Sequence, residues 1–144
     1  MTRKPPPKAV PAEHGSGRLH NARAFLADAR SLLQAKRSGT NANPALSLIA
    51  LAAVAYTDAL TARLAGKVNQ KDHLAAIKLL KECLSGGFDA SMERRLRRLI
   101  DVKHVAEYGA RPGRFEDAEE ALKDLESYAK WIESELGSRQ DVLR

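Results

Sequence analysis

Apolar residues recur at intervals of three or four along most of the chain, which is the spacing of one buried face on a helix. Clusters of glycine, proline and asparagine divide this pattern into five segments. The pattern therefore predicts helices over residues 18–36, 44–65, 71–84, 92–109 and 115–136. Because the connections between these segments are short, we expect an all-α, five-helix up-and-down bundle.

The second predicted helix differs from the others because it is apolar on nearly every side between residues 45 and 56. A helix of this kind has neighbours on every side, so we expect it at the centre of the bundle. Asn43 is a plausible N-cap with Pro44 at the first helical position, and Gly66 is expected to end the helix. The segment is expected to be too short, and too interrupted by Ser47, Thr57 and Asp58, to span a membrane.

The two ends of the chain have little to bury. Residues 1–17 contain three consecutive prolines and several basic side chains, which predicts a disordered basic arm. Residues 18–136 are expected to form the bundle, and residues 137–144 a short frayed tail. Ser91 is expected to cap the fourth helix.

Composition and charge narrow the classes of function. The net charge is +6, but half of it comes from the first 18 residues, so the bundle has a weak electrostatic footprint for a duplex-binding protein. The single cysteine, Cys83, excludes an internal disulfide framework and favours a reducing cytoplasm. The four histidines are far apart in the sequence and lack metal-ligand spacing, so neither a metal nor another cofactor is expected.

The fourth predicted helix carries the most unusual side chains. At 100° per residue, Lys103 falls in the middle of the apolar face, and a lysine in such a position requires an anion. We expect it to pair with Glu107 or with Asp58 of the central helix. The opposite face carries groups able to bind phosphate or move protons, namely Arg97, Asp101, His104 and Tyr108.

Four features of the chain occur together over residues 18–136. They are an alanine-rich second helix around residues 53–61, a linker at 66–73 before a leucine-rich third helix, a basic fourth helix that ends in Lys-x-x-Ala-Glu-Tyr-Gly at residues 103–109, and an acidic last helix. In this combination the chain resembles the HEPN superfamily, which consists of small helical bundles typical of prokaryotic toxin–antitoxin and defence systems.

The resemblance implies a catalytic motif that this chain has altered. Catalytic HEPN proteins cut RNA without a metal, usually as dimers, with an Arg, a polar residue, three residues and then a His. On this chain the motif falls on Lys103, His104 and Tyr108, so both chemical positions are changed. A looser match joins Arg98 to His104.

Three functions remain open from the sequence. The first is a dimeric HEPN-like binding or regulatory module, related to RNA or nucleotides and without strong catalysis. The second is a ribonuclease toxin with His104 as base, Arg97 or Arg98 on phosphate and Tyr108 as donor. The third is the protein-binding half of a toxin–antitoxin pair, with a nucleotidyltransferase-type partner and Trp131 in the interface.

Overall fold

The computed structural model describes residues 5–35, 41–70, 73–109 and 111–142. These residues form five α-helices and one pair of very short strands. The elements are β1 (Lys8–Ala9), α1 (Ala12–Gln34), α2 (Asn43–Ala65), β2 (Lys67–Val68), α3 (His73–Leu84), α4 (Ala90–Tyr108) and α5 (Phe115–Val142). The all-α five-helix bundle predicted from the hydrophobic pattern is therefore confirmed.

The central position predicted for α2 is confirmed by its contacts with all four other helices. Its apolar residues on several sides are buried, including Ala45, Leu46, Ile49, Ala50, Ala52, Ala53, Ala55, Tyr56, Ala59 and Leu60. The expectation that α2 is too short for a membrane is wrong, because its 23 residues are long and apolar enough by themselves. However, 78% of its most apolar window is buried by the rest of the chain, as is typical of the core helix of a soluble protein.

Contacts between side chains fix the directions of the helices. Arg18 of α1 contacts Asp58 of α2, and Gly15 lies against Ala62, so α1 and α2 are antiparallel. The start of α5 lies near the start of α2, and Tyr128 lies beside Thr57, so α5 runs parallel to α2. Phe88, just before α4, stacks on Trp131, whereas Arg98 binds Asp124, so α4 and α5 are antiparallel.

The first 17 residues differ from the disordered arm expected from their composition. β1 pairs antiparallel with β2, and the backbone N–H of Val10 donates to the carbonyl oxygen of Gly66 at 2.9 Å. Helix α1 begins at Ala12, six residues before the predicted start. The reason is tertiary: the end of α2 offers backbone partners, and Gly15 lets α1 approach the Ala59 carbonyl oxygen, which would lie 3.3 Å from a Cβ at residue 15. Residues 1–4 lie outside the described residues.

Two predicted helix caps differ in the structure. Asn43 does not cap α2; its side-chain oxygen accepts a hydrogen bond from the backbone N–H of Gly113 and ties the α4–α5 loop to α2. Asp89, not Ser91, caps α4, since its carboxylate accepts from the backbone N–H groups of Ser91 and Met92. Gly66 ends α2 in the left-handed conformation with φ 64°, as predicted.

The predicted tail beyond residue 136 is also different in the structure. Helix α5 continues through Gly137 to Val142, and for residues 139–142 only the backbone is described. A Cβ at Gly137 would meet no atom within 4 Å, so α5 is uncovered on that side. The predicted end of the first helix at Lys36 lies outside the described residues.

Candidate functional site

The outer face of α4 contains the residues singled out from the sequence. Leu96 and Leu99 are buried, and Met92, Ile100 and Ala106 pack against the core, which fixes the rotation of the helix. As a result, Arg97, Asp101 and His104 lie on the exposed side, as the periodicity predicted. The side chains of Glu107 and Tyr108 lie outside the described residues, so their predicted roles stay predictions.

Lys103 lies on the apolar side of α4 and is half-buried rather than fully enclosed. The predicted pairing with Asp58 is not what the structure shows, because the Asp58 carboxylate binds Arg18, with Nε and Nη2 each 3.2 Å from Oδ2. Arg98 of α4 lies at the same height as Asp124 of α5, and Tyr128 of α5 lies at the same height as Thr57 of α2. Because α4 runs antiparallel to α5 and α2, the chain from Arg98 to Lys103 moves away from Asp58. This register places Lys103 about ten residues from Asp58 along the helix axis, or roughly 15 Å at 1.5 Å per residue, which is farther than a lysine side chain reaches.

Arg98 is held by a carboxylate of α5. Its Nε and Nη2 each donate to one oxygen of Asp124 at 2.9 Å, which is the two-pronged geometry of an arginine–carboxylate pair. Arg95 lies on the same carboxylate, with Nε 3.7 Å from Oδ1. Two arginines of the basic helix α4 thus contact one carboxylate of the acidic helix α5 within the same chain.

Arg97 is engaged on its own helix. Its Nη2 donates to the Glu93 carboxylate at 3.0 Å, and Lys81 of α3 approaches the same carboxylate at 3.4 Å. The hydrogen bond from Arg97 lowers the pKa of Glu93. Glu93 lies one turn before Arg97 along α4, whereas His104 lies two turns after it. The guanidinium group is therefore directed away from His104.

His104 is exposed on the outer face of α4. It shares that face with Arg97, but seven residues separate the two along the helix, a rise of about 10 Å. The structure thus brings the candidate residues to one side of the molecule without bringing an imidazole and a guanidinium together. Arg98 and Asp124 lie toward α5, outside this face.

The side chain of Trp131 packs against other aromatic residues of the same chain. Its ring stacks on Phe88 with centroids 5.3 Å apart and an interplanar angle of 3°, and it also contacts Tyr128 with centroids 5.9 Å apart. These contacts fasten the α3–α4 connection to α5, so Trp131 packs at the edge of the bundle. Its predicted role in an interface with a partner stays a prediction.

The partly buried ion pair between Arg18 and Asp58 was predicted for one of its two members only. Asp58 interrupts an apolar helix, which marks it as unusual, but no sequence pattern indicates that Arg18 is its partner. Burial raises the pKa of Asp58 to about 6, although the nearby Arg18 guanidinium acts in the opposite direction. The surrounding side of the bundle also contains the buried hydroxyls of Thr57 and Thr61.

A groove between α1 and α5 was not recognised from the sequence. It has a volume of about 440 Å³, and its floor contains Tyr56 of α2, which is 1% exposed. Leu26 and Ala129 form apolar walls, and charged side chains of α1 and α5 form the rim, namely Arg23, Arg30, Glu126, Lys130 and Glu133. The only sequence signal was a tyrosine within the alanine-rich run of α2.

Metal ligands and similarity to known proteins are two further aspects of this site. Among the residues that the structure describes, no three His, Cys, Asp or Glu side chains are grouped so that they could hold a metal ion. No protein-family model matches the chain, and no curated protein is significantly similar to it.

Proposed function

We propose that the protein is a HEPN-like helical module that acts by binding, as a dimeric and cytoplasmic regulator in RNA or nucleotide biology, without ribonuclease activity. The proposal rests on the resemblance of residues 18–136 and on the altered motif at Lys103, His104 and Tyr108. The five-helix bundle is compatible with it. One feature of α4 argues most directly for binding rather than cleavage.

That feature is the pairing of Arg97 and Arg98, the two arginines of α4 considered as partners of His104. Metal-independent RNA cleavage needs a cationic group on the scissile phosphate and a base next to the attacking hydroxyl. Here Arg98 is held by both oxygens of Asp124, and Arg97 is held by Glu93 on the side away from His104. Each carboxylate holds its guanidinium group away from His104, so neither arginine is placed to contact a phosphate beside that imidazole.

Lys103, which occupies the position of the arginine in the catalytic HEPN motif, also favours binding over cleavage. Lysine keeps a positive charge but lacks the planar fork that grips two phosphate oxygens. Lys103 is also half-buried on the apolar side of α4, whereas His104 is exposed. A cation and a base on different sides of a helix are poorly arranged to act on one phosphodiester.

The test is an RNA cleavage assay with the purified full-length chain and with His104→Ala, in a buffer that contains a metal chelator. We expect no cleavage that depends on His104, and a dimer by size-exclusion chromatography with light scattering. Cleavage by the wild-type protein that disappears in His104→Ala would overturn the proposal. A monomer at all concentrations would remove its dimeric part.

A further inference from the structure

Tyr56 is the starting point, because its hydroxyl is buried without a hydrogen bond to any of the described residues. The side chain is 1% exposed and lies at the floor of the groove between α1 and α5. Its pKa is raised by burial and by the nearby charge of Glu133, and no hydrogen bond contributes. Tyr128, the other fully buried tyrosine, instead bonds to Thr57.

A buried hydroxyl without a partner is unusual in a folded protein. Most buried polar groups find a hydrogen-bond partner, because an unsatisfied one loses its interaction with water without compensation. Tyr56 lines the groove between Leu26 on α1 and Ala129 on α5, and the charges of Arg23, Arg30 and Glu133 on the rim all act on its hydroxyl. The hydroxyl therefore lies just beneath the groove and can donate to a molecule that settles against the floor.

The rim of the groove supplies positive charge. Arg23 binds Glu133, and Arg30 binds Glu126 at 2.9 Å, so two arginine–glutamate pairs connect α1 and α5 two helical turns apart. Both pairs leave further N–H donors on each guanidinium group, because arginine has five. Together with Lys130, the rim carries three positive and two negative side chains.

We propose that the groove between α1 and α5 is a binding site for a small molecule that carries one anionic oxygen group, a carboxylate or a phosphate monoester, on an apolar body. The Tyr56 hydroxyl donates to an oxygen of that group, and the spare N–H groups of Arg23 and Arg30 hold it from either side. Leu26 and Ala129 contact the apolar body. This site lies on α1 and α5 and does not depend on the function proposed for α4.

The probes are benzoate, phenyl phosphate and the uncharged benzamide, each titrated into ¹⁵N-labelled full-length protein. NMR signals of the arginine Nε–H groups report on the rim, with Arg23 and Arg30 assigned by substitution. We expect benzoate or phenyl phosphate to shift these two signals in a saturable way, and benzamide to bind at least tenfold more weakly. The relative affinity of the two anions identifies which oxygen group the site prefers.

Two phenylalanine variants make the test specific. Tyr56→Phe removes the hydroxyl while retaining the ring, and should weaken binding of the preferred anion about tenfold, as expected for one hydrogen bond to a charged group. Tyr128→Phe removes the other buried tyrosine hydroxyl and should leave the affinity unchanged. The proposal is overturned if no anion shifts the signals, if Tyr56→Phe binds as tightly as wild type, or if benzamide binds as tightly as the anions.

Discussion

Arg98 and Asp124 form a two-pronged ion pair between α4 and α5, with both hydrogen bonds at 2.9 Å. The same carboxylate also lies close to Arg95. Since the side chain of Arg98 is 55% exposed, the pair adds little to stability. Its larger effect is on the surface of α4, because it neutralises cationic groups that would otherwise attract phosphate.

Asp124→Asn should therefore release Arg98 and strengthen the binding of single-stranded RNA. We expect a several-fold gain in affinity at low salt, a gain that disappears at high salt, and a loss of stability below about 1 kcal/mol. Fluorescence anisotropy with a labelled RNA and thermal melting measure the two effects. RNA cleavage should stay absent.

Glu120→Gln is the matched control for this prediction. Glu120 is an exposed acidic residue of the same helix, and its substitution changes the net charge by the same amount. If Glu120→Gln strengthens RNA binding as much as Asp124→Asn, the effect comes from net charge alone and the release of Arg98 is not its cause.

A second prediction concerns the hydrogen-bond chain inside the bundle. The Thr57 hydroxyl donates to the Ala53 carbonyl oxygen at 2.8 Å, so its oxygen accepts from the Tyr128 hydroxyl at 2.6 Å. Burial raises the pKa of Tyr128, which keeps the donor protonated. Tyr128→Phe should cost about 1 kcal/mol of stability and lower Tm by about 2–4 °C.

The comparison for this measurement is Tyr56→Phe. Its hydroxyl has no hydrogen bond to the described residues, so its removal should leave Tm unchanged or slightly higher. Equal losses of stability in the two variants would contradict the assignment of a hydrogen bond to Tyr128 and of none to Tyr56.

The hydrophobic pattern was sufficient to predict the bundle but not the polar contacts that connect its helices. The periodicity that identifies Leu96 and Leu99 as buried depends only on the helix itself, so it can be read from one segment. The partners of Asn43 and Asp58 are Gly113 and Arg18, residues distant in the sequence. Periodicity gives the face on which a side chain lies, but contains no information on which helix will cover that face.

The candidate site shows the same limit. The exposed positions of Arg97 and His104 followed from the helical spacing, whereas the engagement of Arg97 and Arg98 by carboxylates depends on rotamers and on the packing of α5. The α1–α5 groove could not be predicted from the sequence. It is formed by α1 and α5, which are far apart in the chain, and its floor is Tyr56 of α2.

A third prediction follows from the raised pKa of Asp58. The folded protein releases the proton near pH 6, compared with 3.8 for an unperturbed aspartate, so between these values the folded state holds a proton that the unfolded state has lost. The contribution of Asp58 to stability is therefore complete below about pH 4 and is lost as the pH rises through 6. The difference is about 2–3 kcal/mol.

Asp58→Asn should remove this dependence while retaining an oxygen that accepts from Arg18. Chemical denaturation at pH 5 and at pH 7.5 gives the change in free energy of unfolding for each protein, and the difference between the two proteins isolates the contribution of Asp58. We expect the wild-type protein to lose more stability than Asp58→Asn over this interval. Parallel pH profiles would show that Asp58 does not titrate in this range.

The last prediction tests the early start of α1 through two glycines. A Cβ added at Gly15 would lie 3.3 Å from the Ala59 carbonyl oxygen and 3.4 Å from the Ala62 Cβ, whereas at Gly17 it would meet nothing within 4 Å. Alanine in the interior of a helix is favoured over glycine by about 1 kcal/mol. Gly17→Ala should therefore raise the free energy of unfolding by about that amount, and Gly15→Ala should gain less or lose stability because α1 must move away from α2. If residues 12–17 did not form a helix that packs on α2, neither substitution would change stability appreciably. Both variants would then have the Tm of the wild-type protein.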